Sequence, residues 1–218
     1  MDHGVGVPSE DLRRIAGAHG RFLSVIAELS DASARRASLL PGWTVGHVLT
    51  HVARNADSHR RRAEAACRGE VIEQYPGGFP ARAAEIDAGA TRGAVELIDD
   101  VRSSGDAMDD AWRRVPAAAW INVTRDVSGR ERPLNALPAR RWQELEVHLL
   151  DLGLGVTQRD WSDDFVAASL PLLRSTVRQR LPEGAQLPKA GLLDDRDELA
   201  WLYGRLTRPD LPILGPWG

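Results

Sequence analysis

Apolar residues recur at three- and four-residue spacing over most of the chain, a period that predicts helices rather than strands. Leu12, Ile15, Ala16, Phe22, Leu23 and Ile26 mark a first helix from Ser9, its expected N-cap, to about Glu28. The turn "LPGW" stops the chain, and Thr44 is the natural cap of a second helix that runs to about Arg68 and ends at Gly69. On a wheel of about 100° per residue, Val45, Val48, Leu49, Val52 and Ala56 share one side of that helix. His47, His51, Asn55 and Ser58 gather on another side. Such a polar face is either solvated or functional.

The segment "EVIEQYPGGFP" reads as a loop, and a third helix follows from about Ala81 to Val115, with weak points at Gly89 to Gly93 or Ser103 to Gly105. Between Pro116 and Pro133 the pattern turns short and polar, consistent with a β-hairpin around Ser128-Gly129 or an irregular excursion. A fourth helix begins near Leu134 to Pro138 and runs to about Asp151, stopped by "GLG". Four helices joined by both short and long connections predict a bundle. After Trp161 the chain holds a helix from Phe165 to Arg180, a possible strand in "AQLPKAGLL", a helix from Asp194 to Arg205 and a proline-rich tail. The expected architecture is mainly α, a four-helix bundle over 1–158 followed by a small α+β domain over 159–218.

Composition narrows the function. The chain has 218 residues, 43% hydrophobic and 27% charged, with net charge −3, which suits a soluble globular protein. With 28 basic against 31 acidic side chains there is no excess positive charge to neutralise phosphates, so no nucleic-acid partner is expected. The run "HRRR" from His59 to Arg62 reads as a solvated helix face. Cys67 is the single cysteine, so no internal disulfide can form. The opening "MDHGVGVPSEDLRRIAG" has no signal-like apolar run, and no stretch reaches the roughly 18 apolar residues of a membrane span. A cytoplasmic protein without a membrane partner is the expectation.

The fourth helix contains "RRWQELEVHLLDLG", in which Glu144 and His148 stand four apart and therefore stack on one face. Leu145, Leu149, Leu152 and Val147 flank them, which predicts partial burial of both polar groups, unfavourable unless each finds a partner. An ion pair with Arg140 or Arg141, or a hydrogen-bonded core histidine, is one solution. A divalent metal held by Glu144, His148 and one histidine of the second helix is the other, because Zn²⁺ accepts imidazole and carboxylate and needs three protein groups to leave a fourth position open. His-Glu-x-x-His, a glycine-rich phosphate loop, Gly-x-Ser-x-Gly and a cysteine pair are all missing from the sequence. His47, in the first turn, is expected to reach solvent, His59 to be a satisfied, partly buried histidine, and Trp43 to pack the helix start.

With these motifs in hand, the sequence resembles the mycothiol-dependent maleylpyruvate isomerase family within the DinB-like metal-binding four-helix bundles. The resemblance rests on "LPGWTVGHVLTHVARNADSHRR", "YPGGFPARAAEIDAGATR" and "RRWQELEVHLLDLGLG". It implies His51, Glu144 and His148 as metal ligands, with His47 a bystander. At the C-terminal end "DELAWLYGRLT" resembles the family's Leu-x-Gly-Arg element, which implies Arg205 as a substrate-binding or catalytic residue.

The implied reaction converts a cis conjugated alkene to its trans isomer. A thiolate adds to the alkene, the bond rotates and the thiol leaves. Mycothiol is the implied thiol, and Zn²⁺, or another divalent metal, lowers the thiol pKa from its ordinary value near 8.5. Arginines suit the substrate's carboxylates and the enolate formed on rotation. Arg205 is the first candidate and Arg82 the second. Asn55, one turn beyond His51, either bonds the thiol cofactor or only occupies the polar face. Two other functions fit the same residues: a mycothiol S-transferase, or isomerase of another electrophile, in a biosynthetic or detoxification pathway, and a non-catalytic metal-stabilised binding module.

Overall fold

The computed structural model describes residues 6–216, so the first five residues of the opening segment and the last two of the tail lie outside the described part. The chain divides into two compact units, Met1–Leu154 and Gly155–Gly218. As the apolar period predicts, the chain is mainly helical.

In the first unit, α1 (Ser9–Ile26), α2 (Asp31–Ala34), α3 (Val45–Cys67), α4 (Gly78–Gly89) and α5 (Ala94–Arg113) precede a hairpin of β1 (Val123–Arg125) and β2 (Glu131–Pro133), and α6 (Leu137–Asp151) follows. Helix α3 packs on α5 and α6, and α1 packs on α6 and α5, so these four close into a bundle, with α4 laid against α3. Val48, Leu49 and Val52 of α3, Phe22 and Ile26 of α1, Leu97 and Val101 of α5 and Leu145 and Leu149 of α6 are buried in the core.

Local chemistry sets the ends. Thr44 caps α3 through its side chain, which accepts from the His47 N–H, and Gly69 ends it in the left-handed region at φ 73°. Ser9 is the first residue of α1, preceded by Pro8, and makes no capping bond, so the expected cap is not formed. The expected single third helix is two. The break falls at the first of the two weak points, where the Glu96 carboxylate accepts from the Gly93 N–H at 3.1 Å and Asp31 of α2 accepts from the Ala94 N–H at 2.7 Å. Those bonds satisfy a new helix start. At the second weak point α5 is continuous. Gly105 is there because the His19 ring of α1 lies where a Cβ would stand, 1.8 Å from its Cε1.

The hairpin pairs Val123 with Pro133 and Arg125 with Glu131, turning at Gly129 with φ 85°. "HRRR" is not a solvated face. His59 and Arg62 are buried, and Arg61 donates to the Gln74 carbonyl at 3.1 Å. Helix α3 therefore runs through the interior with both its apolar and its polar faces covered.

The second unit contains α7 (Asp163–Arg180) and α8 (Asp195–Leu202). Trp161, Phe165 and Tyr203 form its aromatic centre, with the Phe165 and Tyr203 rings stacked at 6.2 Å. The strand expected in "AQLPKAGLL" does not form, and among the described residues this unit holds no strand; the only sheet is the hairpin of the first unit. Pro188 lacks a ladder donor, and glycines at positive φ, Gly184 and Gly191, bend the chain on both sides of it.

Candidate metal centre

Helices α3 and α6 meet side by side, and their facing positions bring three electron-pair donors together. His51 comes from the middle of α3; Glu144 and His148 are one turn apart on α6. His51 Nε2 lies 3.1 Å from Glu144 Oε2 and 3.0 Å from His148 Nε2, and His148 Nε2 lies 3.2 Å from the same Glu144 oxygen. A tetrahedral ion with bonds of about 2.0–2.1 Å spaces its ligand atoms about 3.3–3.4 Å apart. The three atoms lie within about 0.4 Å of the spacing of one tetrahedral face, and two imidazoles with one carboxylate are a donor set suited to Zn²⁺ and its neighbours. Both imidazoles are buried and the carboxylate is half-buried.

Electrostatics in the cluster follow from this crowding. Burial, reinforced by the charge of His148, lowers the His51 pKa to about 4. Burial alone would raise Glu144, but hydrogen bonds from His148 and His51 outweigh it and hold the carboxyl well below its ordinary value. His148 is opposed by burial and raised overall by its bonds to Asp151 and Glu144. Its Nδ1 stands 2.8 Å from Asp151 Oδ2, the imidazole–carboxylate arrangement that fixes a ligand's tautomer and leaves Nε2 with its lone pair.

Other side chains close the centre. The Trp43 ring meets His51 edge-on at 5.7 Å and stacks on His47 at 6.1 Å, so it walls the site as well as packing the helix start. His47 stays partly exposed, with Nε2 3.6 Å from Asp87 at the surface, while its Nδ1 accepts from the Thr44 N–H at 3.1 Å and completes the α3 cap. Arg82 of α4 reaches His51, with Nη2 2.9 Å from Nδ1, and its guanidinium lies over the Tyr75 ring at 5.5 Å.

Asn55 is buried one turn deeper, where its Oδ1 accepts from Arg141 Nη1 at 2.8 Å. Arg141 also donates to the Val52 carbonyl at 2.9 Å, so the expected alternative of Glu144 paired with Arg140 or Arg141 is not the arrangement formed among the described residues. His59 is buried against Trp112, with ring centroids 5.6 Å apart. Cys67 is exposed at the end of α3.

Arg205 belongs to the second unit. Gly204 at φ 72° and two bonds, from the Gly204 N–H to the Trp201 carbonyl and from the Arg205 N–H to the Ala200 carbonyl, close α8 in a Schellman turn. Arg205 follows that turn, half-buried, and donates to the Tyr203 carbonyl at 2.8 Å.

Sequence reasoning passed over Asp151 and Tyr75. Asp151 stands three residues after His148, a helical spacing that would have revealed it. Tyr75 lies in a loop and left no periodic signal.

Residues 15–153, which carry the whole cluster, match the family described as the mycothiol maleylpyruvate isomerase N-terminal domain. The chain belongs to this family. Among solved structures, the fold of this isomerase-family chain is similar to a crystal structure of the mycothiol-dependent maleylpyruvate isomerase, with a TM-score of 0.83, 22% identity and coverage of 96% of this chain and 97% of that one. A crystal structure of a histidine-to-alanine mutant of that isomerase matches with the same values. No curated protein matches the chain. Among the described residues, no helix is long and apolar enough to cross a membrane.

Proposed function

We propose that the chain is a metal-dependent cis–trans isomerase of maleylpyruvate type that uses mycothiol as its thiol. The observation that carries this reading is the triangle of His51 Nε2, Glu144 Oε2 and His148 Nε2, with separations of 3.0–3.2 Å. These residues would hold a divalent ion, Zn²⁺ by their chemistry, which when bound supplies a Lewis-acidic fourth position where a thiol loses its proton at neutral pH.

The chain's own groups do the rest. Asp151 orients His148, and the Trp43 ring shields one flank of His51 from water. Substrate carboxylates need cations, and Arg82 is the arginine whose guanidinium already stands beside the cluster. Arg205 is the proposed second cation, for a carboxylate or for the negative charge that develops as the double bond becomes single. Asn55 contributes through Arg141, keeping the α3–α6 contact in register behind the ligands. We place the reaction in the cytoplasm, where a small thiol stays reduced.

A product assay tests the reading. Zinc-loaded protein with mycothiol and maleylpyruvate, followed by proton NMR, is expected to give the trans isomer with the thiol regenerated. Accumulation of a stable thioether would instead make the chain an S-transferase. No thiol-dependent change in any conjugated alkene would leave a metal-stabilised binding module.

A further inference from the structure

The partner of His51 is unusual for a histidine that ligates a metal. Such a ring ordinarily donates its second N–H to a carboxylate, a carbonyl or water, as His148 does to Asp151. His51 Nδ1 instead faces Arg82 Nη2 at 2.9 Å. A guanidinium has five donors and no acceptor, so this bond requires Nδ1 to be the accepting nitrogen and puts the ring proton on Nε2. That position agrees with the other face of the ring, where Nε2 points at an acceptor, the Glu144 carboxylate oxygen 3.1 Å away.

Ligation through Nε2 needs the opposite tautomer. The proton must leave Nε2, and a neutral ring then carries one on Nδ1, with no net change in protons. Nδ1–H would meet Arg82 donor to donor. Arg82 has a second seat within reach, the face of buried Tyr75, which its guanidinium already covers.

We infer that the Arg82–His51 bond and ligation by His51 exclude one another, so that filling the centre releases Arg82 from His51 and frees its guanidinium for an anionic group of the ligand. The inference rests on the metal reading above. It makes Arg82 a positioning residue that opposes metal uptake and joins the ligand site only once the metal is bound.

Two readouts test it without any activity assay. Long-range proton–nitrogen NMR on ¹⁵N-labelled protein, with the His51 signals identified by their loss in His51→Ala, is expected to show the Nε2–H tautomer after chelator treatment and the Nδ1–H tautomer with zinc. Competition with a chromogenic chelator is expected to show Arg82→Met binding zinc about tenfold more tightly than the wild type, the worth of one hydrogen bond from a charged donor. Asp151→Asn, which removes an ordinary supporting partner, moves the other way and loses roughly 10–100-fold. Arg82→Lys keeps the charge without the planar fork and is expected between Arg82→Met and the wild type. Relief of charge repulsion alone would tighten binding in Arg82→Met without any tautomer change, so an unchanged tautomer overturns the inference. Zinc affinity in Arg82→Met equal to or below that of the wild type overturns it as well. A wild-type chain that takes up no zinc ends the metal reading and this inference together, whereas zinc bound by the wild type alongside either negative result ends this inference alone.

Discussion

Two polar clusters are buried between α3 and α6, one turn apart, and they are built on opposite principles. The first, His51, Glu144 and His148 with Asp151 behind, converges lone pairs on one point. The second, Arg141 with Asn55, spreads donors outward; Arg141 Nη1 is shared by the Val52 carbonyl and Asn55 Oδ1, while among the described residues its Nε and Nη2 have no hydrogen-bond partner. Burial of either is unfavourable unless its groups are answered. Lone pairs aimed at one another call for a proton or a cation between them, whereas the Arg141 fork is answered within the fold at Nη1 alone. The difference teaches that burial of polar residues does not mark a site, and that convergence of acceptors does.

The comparison can be broken most severely at its acceptor end. Glu144→Ala removes the only carboxylate of the triangle, and zinc affinity is expected to fall by more than about 100-fold, because even a partner outside the ligand set is worth roughly 10–100-fold. Isothermal or chelator-competition titration reads this, and retention of tight binding would separate the cluster from the metal. At the donor end, Arg141→Ala leaves an interior cavity and an unanswered Asn55 oxygen, so unfolding free energy is expected to drop by about 3 kcal/mol with zinc affinity kept within about threefold. Urea titration beside metal titration separates the two effects.

Acid sharpens the contrast further. His51 is held neutral in the fold, with its pKa lowered to about 4 by burial and the charge of His148. The unfolded chain takes up its proton near pH 6.5, so this contribution to stability is lost as pH falls from about 6.5 toward 4. At full extent it is about 3 kcal/mol. His59, lowered by burial and Arg62, acts in the same direction. His148, raised by Asp151 and Glu144, acts in the opposite one, adding stability at acid pH that fades as pH rises through its folded value. Chelator-treated protein is therefore expected to unfold at lower urea at pH 5 than at pH 7. The smallest change lies away from both clusters: Thr44→Ala removes the cap of α3 and is expected to lower stability by about 1 kcal/mol, read as a shift in thermal midpoint with metal affinity unaltered.

Local signals in the sequence were enough for much of this arrangement. Thr44 and Gly69 bound α3 as capping chemistry requires, and the four-residue spacing of Glu144 and His148 put both on one face of α6. His47 against His51 was not decidable from spacing, since both lie on the same face; the partner helix selects His51. What the sequence hid depends on contacts across the chain. Arg62 read as part of a solvated face and Arg141 as one of two candidate partners for Glu144, yet the bundle closes over both. Arg82 reaches His51 from a separate helix 31 residues on, a contact no periodicity encodes. The strand expected around Pro188 failed for the reverse reason, because an apolar run needs a partner strand and the fold supplies none there.

The central claim is that the triangle of His51, Glu144 and His148 binds one metal ion. Elemental mass spectrometry of the purified chain beside its His51→Ala variant tests it most directly. The account predicts near one zinc, or an equivalent divalent ion, per wild-type chain and its loss in the variant. A wild-type chain without metal after zinc is offered, or a variant that retains it, would contradict the account and leave Glu144 and His148 as a structural pair of α6.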